Sequence, residues 1–172
     1  MAAKLGLEHL LEASMMTATL PNSIPDNLPQ EDYLPTNHHD VIETVISSMA
    51  QTDSAMVQNT DQGSVWRFTY GSVAVFVQLT GEKDDDLLTV WADVLALPVN
   101  DPLALLKEVM ALNWSDTLEA RFALRDDHLV TIYQRTVADL SPGEISRAIT
   151  LVATIADDHD DRLKDQYSLA SN

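Results

Sequence analysis

Residues 64–79 read SVWRFTYGSVAVFVQL, and this stretch decides the fold class. Large apolar side chains recur at every second position in both halves, which is typical of β-strands with one buried face. Only Gly71 and Ser72 separate the halves, and glycine at the first turn position suits a two-residue type II′ hairpin. The segment therefore predicts two antiparallel strands.

Three more strands are predicted further along the chain. Residues 87–97 are apolar on both sides with Asp93 as the single charge, which indicates a central strand covered at least in part on both faces. Residues 118–125 and 128–136 flank the pair Asp126-Asp127, which predicts a second hairpin. The predicted sheet thus has five strands.

Three helices are predicted around these strands. The first begins at an Asn37 N-cap, and the second begins at Asp101-Pro102 and runs to Asn113. The third begins at Ser141-Pro142-Gly143-Glu144, where serine and glutamate form a capping box. We expect this last helix to be long, at roughly 24 residues or about 36 Å.

The first 35 residues have a different character. Residues 5–20 show helical spacing of apolar side chains, whereas residues 21–35 carry four prolines and predict an extended linker arm. The predicted organisation is an N-terminal helix and arm at 1–35, one α+β domain at 36–168 and a tail at 169–172.

Composition excludes several classes of protein. The 172 residues have a formal net charge of −17, which opposes binding to phosphate backbones, so no nucleic acid partner is expected. No apolar run approaches the length of a membrane span, and the acidic start does not resemble a signal peptide. The absence of cysteine excludes disulfides and thiolate metal sites. We therefore expect a cytoplasmic protein that does not associate with membranes.

Two clusters have the composition of a metal site. His38-His39-Asp40 is better explained as a polar helix start, because adjacent helical residues point about 100° apart. Asp157, His159 and Asp161 lie close on the third helix and form the alternative hypothesis, a metal-dependent enzyme or metal-binding domain. A solvated acidic helix face is the simpler interpretation. Because the nucleophile, phosphate-binding and zinc motifs are missing, we assign no catalytic residue, no cofactor and no metal.

The second helix is apolar around most of its circumference. The stripe expected to face the sheet is Leu103, Leu106, Val109 and Met110. Leu105 and Leu112 lie off that stripe and need cover from another molecule. The sequence therefore predicts a dimer or partner interface at Leu103, Leu105, Leu106, Met110 and Leu112.

Three stretches carry a resemblance to a known family. They are LPVNDPLALLKEVMALNW at 97–114, LEARFALRDDHLVTIYQRT at 118–136 and LSPGEISRAITLVATIADDHDDRL at 140–163. Together they resemble the second half of a YbjN-type bacterial domain of the sort found in cyanobacteria. The order of elements is similar to the type III secretion chaperones, which share that fold, and the resemblance spans residues 36–164.

The resemblance implies a five-stranded antiparallel sheet with element order α-β-β-β-α-β-β-α, to which the N-terminal helix and arm are additions. It also implies a homodimer joined through the middle helix and a surface that binds extended segments of partner proteins. The resulting expectation is a non-enzymatic, chaperone-like protein-binding domain without a cofactor. A structural subunit of a larger assembly is a further alternative.

Overall fold

The computed structural model describes residues 37–49 and 56–169. The predicted N-terminal helix and proline-containing arm lie outside these residues, as does most of the predicted tail. Three helices lie in the described part: α1 (His38–Met49), α2 (Pro102–Ser115) and α3 (Pro142–Tyr167). None of them combines the length and apolarity needed to cross a membrane.

Six strands form one antiparallel sheet in the order β1-β2-β3-β4-β6-β5. They are β1 (Met56–Thr60), β2 (Gly63–Tyr70), β3 (Val73–Leu79), β4 (Leu87–Ala96), β5 (Arg121–Arg125) and β6 (His128–Thr136). The α+β class is confirmed, as is the predicted order along the chain of every element except β1. Strand β4 lies inside the sheet, as expected.

The prediction of five strands is wrong by one. The missing strand, β1, is short and largely polar, so its sequence gives no alternation of the kind that marks β2 and β3. It exists because β2 offers it a backbone partner, with Val57 opposite Trp66. Strand β5 also begins at Arg121 rather than Leu118, which has a left-handed φ of 50°.

Local sequence signals set the predicted turns and helix starts. Gly71 has φ +52° in the β2–β3 turn, as a type II′ hairpin requires. Ser141 accepts a hydrogen bond from the Glu144 amide while the Glu144 side chain bonds back to the Ser141 amide, so the capping box is confirmed. Asp101 caps α2 by accepting from the Ala104 amide.

The core lies between the sheet and α3. That helix contacts β2, β3, β4 and β6, and α1 packs beside it. Thr131 on β6 is fully buried and donates a hydrogen bond to the Val152 carbonyl of α3 at 3.3 Å, which orients this face of β6 toward the helix. The largest fully buried side chains come from α1, the sheet, α2 and α3; they include Trp66, Phe68, Ile42, Ile46, Leu88, Leu105, Leu129, Ile145, Ile149 and Leu163.

Candidate functional site

Helix α2 has one buried side and one exposed apolar side. Leu105 and Val109 face inward and are 2% and 3% exposed, respectively. The opposite side carries apolar residues spaced by three, four and four positions, which places them in one stripe along the helix. We call this stripe the α2 outer face; its members and their exposed fractions are Leu103 (62%), Leu106 (42%), Met110 (64%) and Trp114 (92%).

The five residues predicted for an interface are thus divided between two environments. Leu103, Leu106 and Met110 belong to the α2 outer face, whereas Leu105 lies in the core and Leu112 is partly buried against it. The stripe expected to face the sheet is buried only at Val109. Its other members, Leu103, Leu106 and Met110, are exposed, and the Leu105 side of the helix is buried instead. The predicted interface does not include Trp114, although its spacing of four from Met110 indicates the shared face.

Asn113 fixes α2 to the edge of the sheet. Its side-chain oxygen accepts from the Phe122 amide at 2.6 Å, and its side-chain amide donates to the Phe122 carbonyl at 3.2 Å. Phe122 lies in β5, which is an edge strand with backbone groups open to pairing. The Asn113 side chain therefore takes the place of a neighbouring strand at this residue and blocks that part of the edge.

A second set of contacts joins α2 to α3. Glu108 pairs with Arg162, and the Tyr167 hydroxyl donates to the Glu108 carboxylate at 2.6 Å. The hydrogen bond from Tyr167, followed by that from Arg162, holds the pKa of Glu108 below its usual range. The same hydrogen bond raises the pKa of Tyr167. The inner side of α2 is therefore anchored on both β5 and α3, which leaves the α2 outer face as a fixed apolar surface.

The residues of the alternative metal site have separate environments. Asp157 accepts a hydrogen bond from the Ser72 amide at 2.8 Å, and the His159 ring packs edge-on against Phe122 at 5.7 Å between centroids. Asp161 is exposed to solvent. The acidic run on α3 thus includes an anchor for the β2–β3 turn, and the three predicted ligands do not form a common group of donor atoms among the described residues.

A different trio on α1 does bring its donor atoms together. Those of His39, Asp40 and Glu43 lie within 4.8 Å of one another. The His39 ring contacts the Trp66 ring edge-on at 4.7 Å, and the Trp66 indole N–H donates to Glu43 at 3.5 Å. Packing around Trp66 therefore accounts for the closeness of His39 and Glu43.

The comparisons with known proteins identify the family. A sequence profile described as "Putative bacterial sensory transduction regulator", the YbjN family, matches residues 38–165. The chain belongs to the YbjN family. No protein of curated function matches the sequence.

A solved structure supports the fold of this YbjN-family member. The chain is similar to one in the crystal structure of the ExsC–ExsE complex, with a TM-score of 0.53 and 15% sequence identity. The likeness covers 80% of this chain and 98% of the other. At this identity it shows the fold alone, and that fold is the type III secretion chaperone-like α+β architecture expected from the sequence.

Proposed function

We propose that this YbjN-family protein is a non-enzymatic, chaperone-like protein-binding domain that acts in the cytoplasm as a homodimer joined through the α2 outer face. The observation that carries the proposal is the row of exposed apolar side chains on a helix whose other side is anchored in the core. Monomeric proteins rarely expose contiguous apolar stripes of this kind without a partner. The fold shared with a chain of the ExsC–ExsE complex supports a protein partner.

A second copy is a suitable occupant of the α2 outer face because a helix stripe is self-complementary across a two-fold axis. Burying a large apolar side chain completely is worth about 2 kcal/mol. When this value is scaled by the exposed fractions given above, burying the four side chains in both copies stabilises the dimer by roughly 10 kcal/mol. Association itself costs about 4–15 kcal/mol, so contacts that flank the helix must contribute to a stable dimer. We propose that Leu118, which follows α2 and is exposed, supplies one of these contacts.

Sedimentation tests the dimer. Analytical ultracentrifugation of the full chain from about 1 to 100 µM should show a dimer whose dissociation constant rises at least tenfold in Leu106→Glu, since about 1.4 kcal/mol corresponds to a factor of ten. Val57→Glu is the matched control, because Val57 is similarly exposed but lies on β1, at the opposite edge of the sheet from β5. A wild-type monomer at 100 µM would contradict the dimer, and equal effects of both variants would contradict the assignment to α2.

Leu105→Glu separates the two sides of α2. Leu105 belongs to the core, so a glutamate there should destabilise the monomer rather than dissociate the dimer. Circular dichroism during thermal unfolding should therefore show a large loss of stability for Leu105→Glu and a native melting profile for Leu106→Glu at monomeric concentration. The opposite pattern would mean that the inner and outer sides are exchanged.

Partner binding needs its own measurement. Native mass spectrometry of the protein purified from its own cells should show the dimer together with a further chain of reproducible mass and stoichiometry. A bare dimer in every preparation would contradict the protein-binding role, and a large assembly of fixed composition would favour the structural-subunit alternative. Cell fractionation tests the cytoplasmic location in the same samples.

The proposal includes a domain boundary near residue 35. The family match begins at residue 38, inside the predicted 36–168 domain, which supports treating residues 1–35 as an addition. A fragment that starts at residue 36 should unfold cooperatively with the same midpoint as the full chain. An insoluble fragment, or one without a cooperative transition, would show that the first 35 residues belong to the core.

A further inference from the structure

The sheet has a second face, which points away from α1 and α3. On β6, Thr131 faces α3, so its neighbours Val130 and Ile132 point to the opposite side. The strand register then aligns one row across five strands on that side. In order from β2 to β5, the row consists of Arg67, Phe76, Trp91, Ile132 and Arg121.

Cations and rings are stacked on this side of the sheet, in the row and beside it at Arg125. The Phe76 and Trp91 rings lie nearly parallel, 5.1 Å apart with an interplanar angle of 5°. The Arg67 guanidinium carbon lies 5.7 Å from the Phe76 ring centroid, and that of Arg125 lies 4.5 Å from the Trp91 ring centroid. We call the surface formed by Arg67, Phe76, Trp91, Arg121 and Arg125 the arginine–aromatic face.

The arginines of this face differ from the other arginines of the described residues. Three arginines elsewhere each pair with a glutamate: Arg135 with Glu144, Arg147 with Glu119 and Arg162 with Glu108. Within residues 37–49 and 56–169, the three on the arginine–aromatic face have no acidic partner within 4.0 Å, and all three are exposed. Of the strand residues on this side, Asp93 alone is acidic. In a chain with a net charge of −17, these three guanidinium groups, which have no acidic partner among the described residues, place separate positive charges along this side of the sheet.

Trp91 adds a second, independent observation. Its side chain is buried, and its indole N–H has no hydrogen-bond acceptor in the part of the chain that the structure describes. A buried donor without a partner costs free energy, which an external acceptor recovers only if it reaches the indole N–H between the surrounding side chains. Carboxylate and carbonyl oxygens are such acceptors.

We propose that the arginine–aromatic face binds an extended, acidic segment of a partner protein. Guanidinium groups held over rings are oriented to form paired hydrogen bonds with carboxylates. Arg67 and Arg121 are four strand spacings apart, about 19 Å, which an extended peptide of about six residues spans. The apolar middle of such a peptide would then contact Ile132 and the edge of the stacked Phe76 ring. This inference builds on the proposed protein-binding role but is independent of the dimer at α2.

A single-stranded nucleic acid is the less suitable ligand. Aromatic platforms bind bases through free ring faces. Here the Phe76 and Trp91 faces are occupied by each other and by the Arg67 and Arg125 guanidinium groups. The overall negative charge also opposes a continuous phosphate backbone, whereas a short peptide with a few carboxylates engages only the local cations.

Fluorescence anisotropy with the full-length protein tests the proposal. The probes are three fluorescein-labelled molecules: the peptide EEALFAEE, its neutral counterpart QQALFAQQ and a twelve-residue oligothymidine. We expect EEALFAEE to bind at least about tenfold more tightly than QQALFAQQ, a difference of about 1.4 kcal/mol. Equal affinities for the two peptides, or no saturable binding of EEALFAEE, would overturn the proposal.

Variants locate the binding. Arg67→Gln and Arg121→Gln should each weaken EEALFAEE about three- to tenfold and leave QQALFAQQ unchanged. Arg147→Gln is the matched control, since Arg147 is exposed but already paired with Glu119, and it should change neither affinity. Equal losses in all three variants would indicate a general charge effect and contradict the site.

Two further outcomes would also overturn the inference. Tighter, Arg67-dependent binding of the oligothymidine would make the face a nucleic-acid site. A loss of dimer in Arg67→Gln, measured by ultracentrifugation, would make it a contact between copies. Because the dimer test uses Leu106→Glu, failure of this inference is distinguishable from failure of the proposed function.

Discussion

Asp160 is the fully buried charged residue in the described part of the chain, and Asp160→Asn tests how the β2–β3 turn is held. Its carboxylate accepts from the Ser72 hydroxyl at 2.8 and 2.9 Å and pairs with Lys164. Hydrogen bonds to a charged group contribute about 1.5–3 kcal/mol each. Lys164 is 43% exposed and can be hydrated when its partner is neutral, which limits the loss. We expect Asp160→Asn to lower the free energy of unfolding by about 2–3 kcal/mol.

The effect has a defined pH dependence. Burial alone raises the pKa of Asp160, but the hydrogen bonds from Lys164 and Ser72 outweigh burial and hold the pKa below its usual range. A carboxyl group whose folded pKa is depressed stabilises the fold above its unfolded pKa, about 3.9, and loses that contribution as pH falls through the folded pKa. The difference between wild type and Asp160→Asn should therefore be constant near pH 7 and shrink below about pH 4.

Thermal and urea unfolding followed by circular dichroism measure this difference. For a chain of this size, 2–3 kcal/mol corresponds to a fall in Tm of about 5–10 °C. Asp161→Asn is the matched control, because it removes the same charge from the next residue, which is exposed. Equal losses for the two variants, or a difference that grows as pH falls below 4, would refute the reasoning.

Three other variants follow from local geometry. Gly71→Ala should cost about 1–3 kcal/mol in thermal unfolding, because the residue has φ +52° and an added Cβ lies 1.9 Å from an Asp157 carboxylate oxygen; an unchanged Tm would contradict the close approach. Asn113→Leu should cost about 1–3 kcal/mol and increase light scattering at high concentration, because both bonds to Phe122 are lost and the β5 edge opens; stability without aggregation would contradict a protective role. Ser141→Ala should cost about 1 kcal/mol through loss of the cap, and a loss below 0.3 kcal/mol in urea unfolding would contradict it.

Helix starts and tight turns were predictable because their signals are local. Ser141 and Glu144 specify the start of α3 within four residues, and Gly71 specifies a hairpin within two. Strand β1 was not predictable in this way, because its polar sequence lacks an alternating pattern and the strand forms by pairing with β2. The arginine–aromatic face likewise depends on strand register, which brings together Arg67 and Arg121 from positions 54 apart in the chain.

The orientation of α2 shows why the candidate site was only half predictable. Leucines lie on both sides of the helix, so helical periodicity alone fits either side to the core. The choice depends on contacts with distant residues: Asn113 bonds to Phe122 on β5, and Glu108 bonds to Arg162 and Tyr167 on α3. These polar anchors turn the Leu105 side inward and leave the α2 outer face exposed. Which side of such a helix is buried therefore has to be predicted from its polar contacts as well, because its apolar residues alone do not distinguish the core side from the interface side.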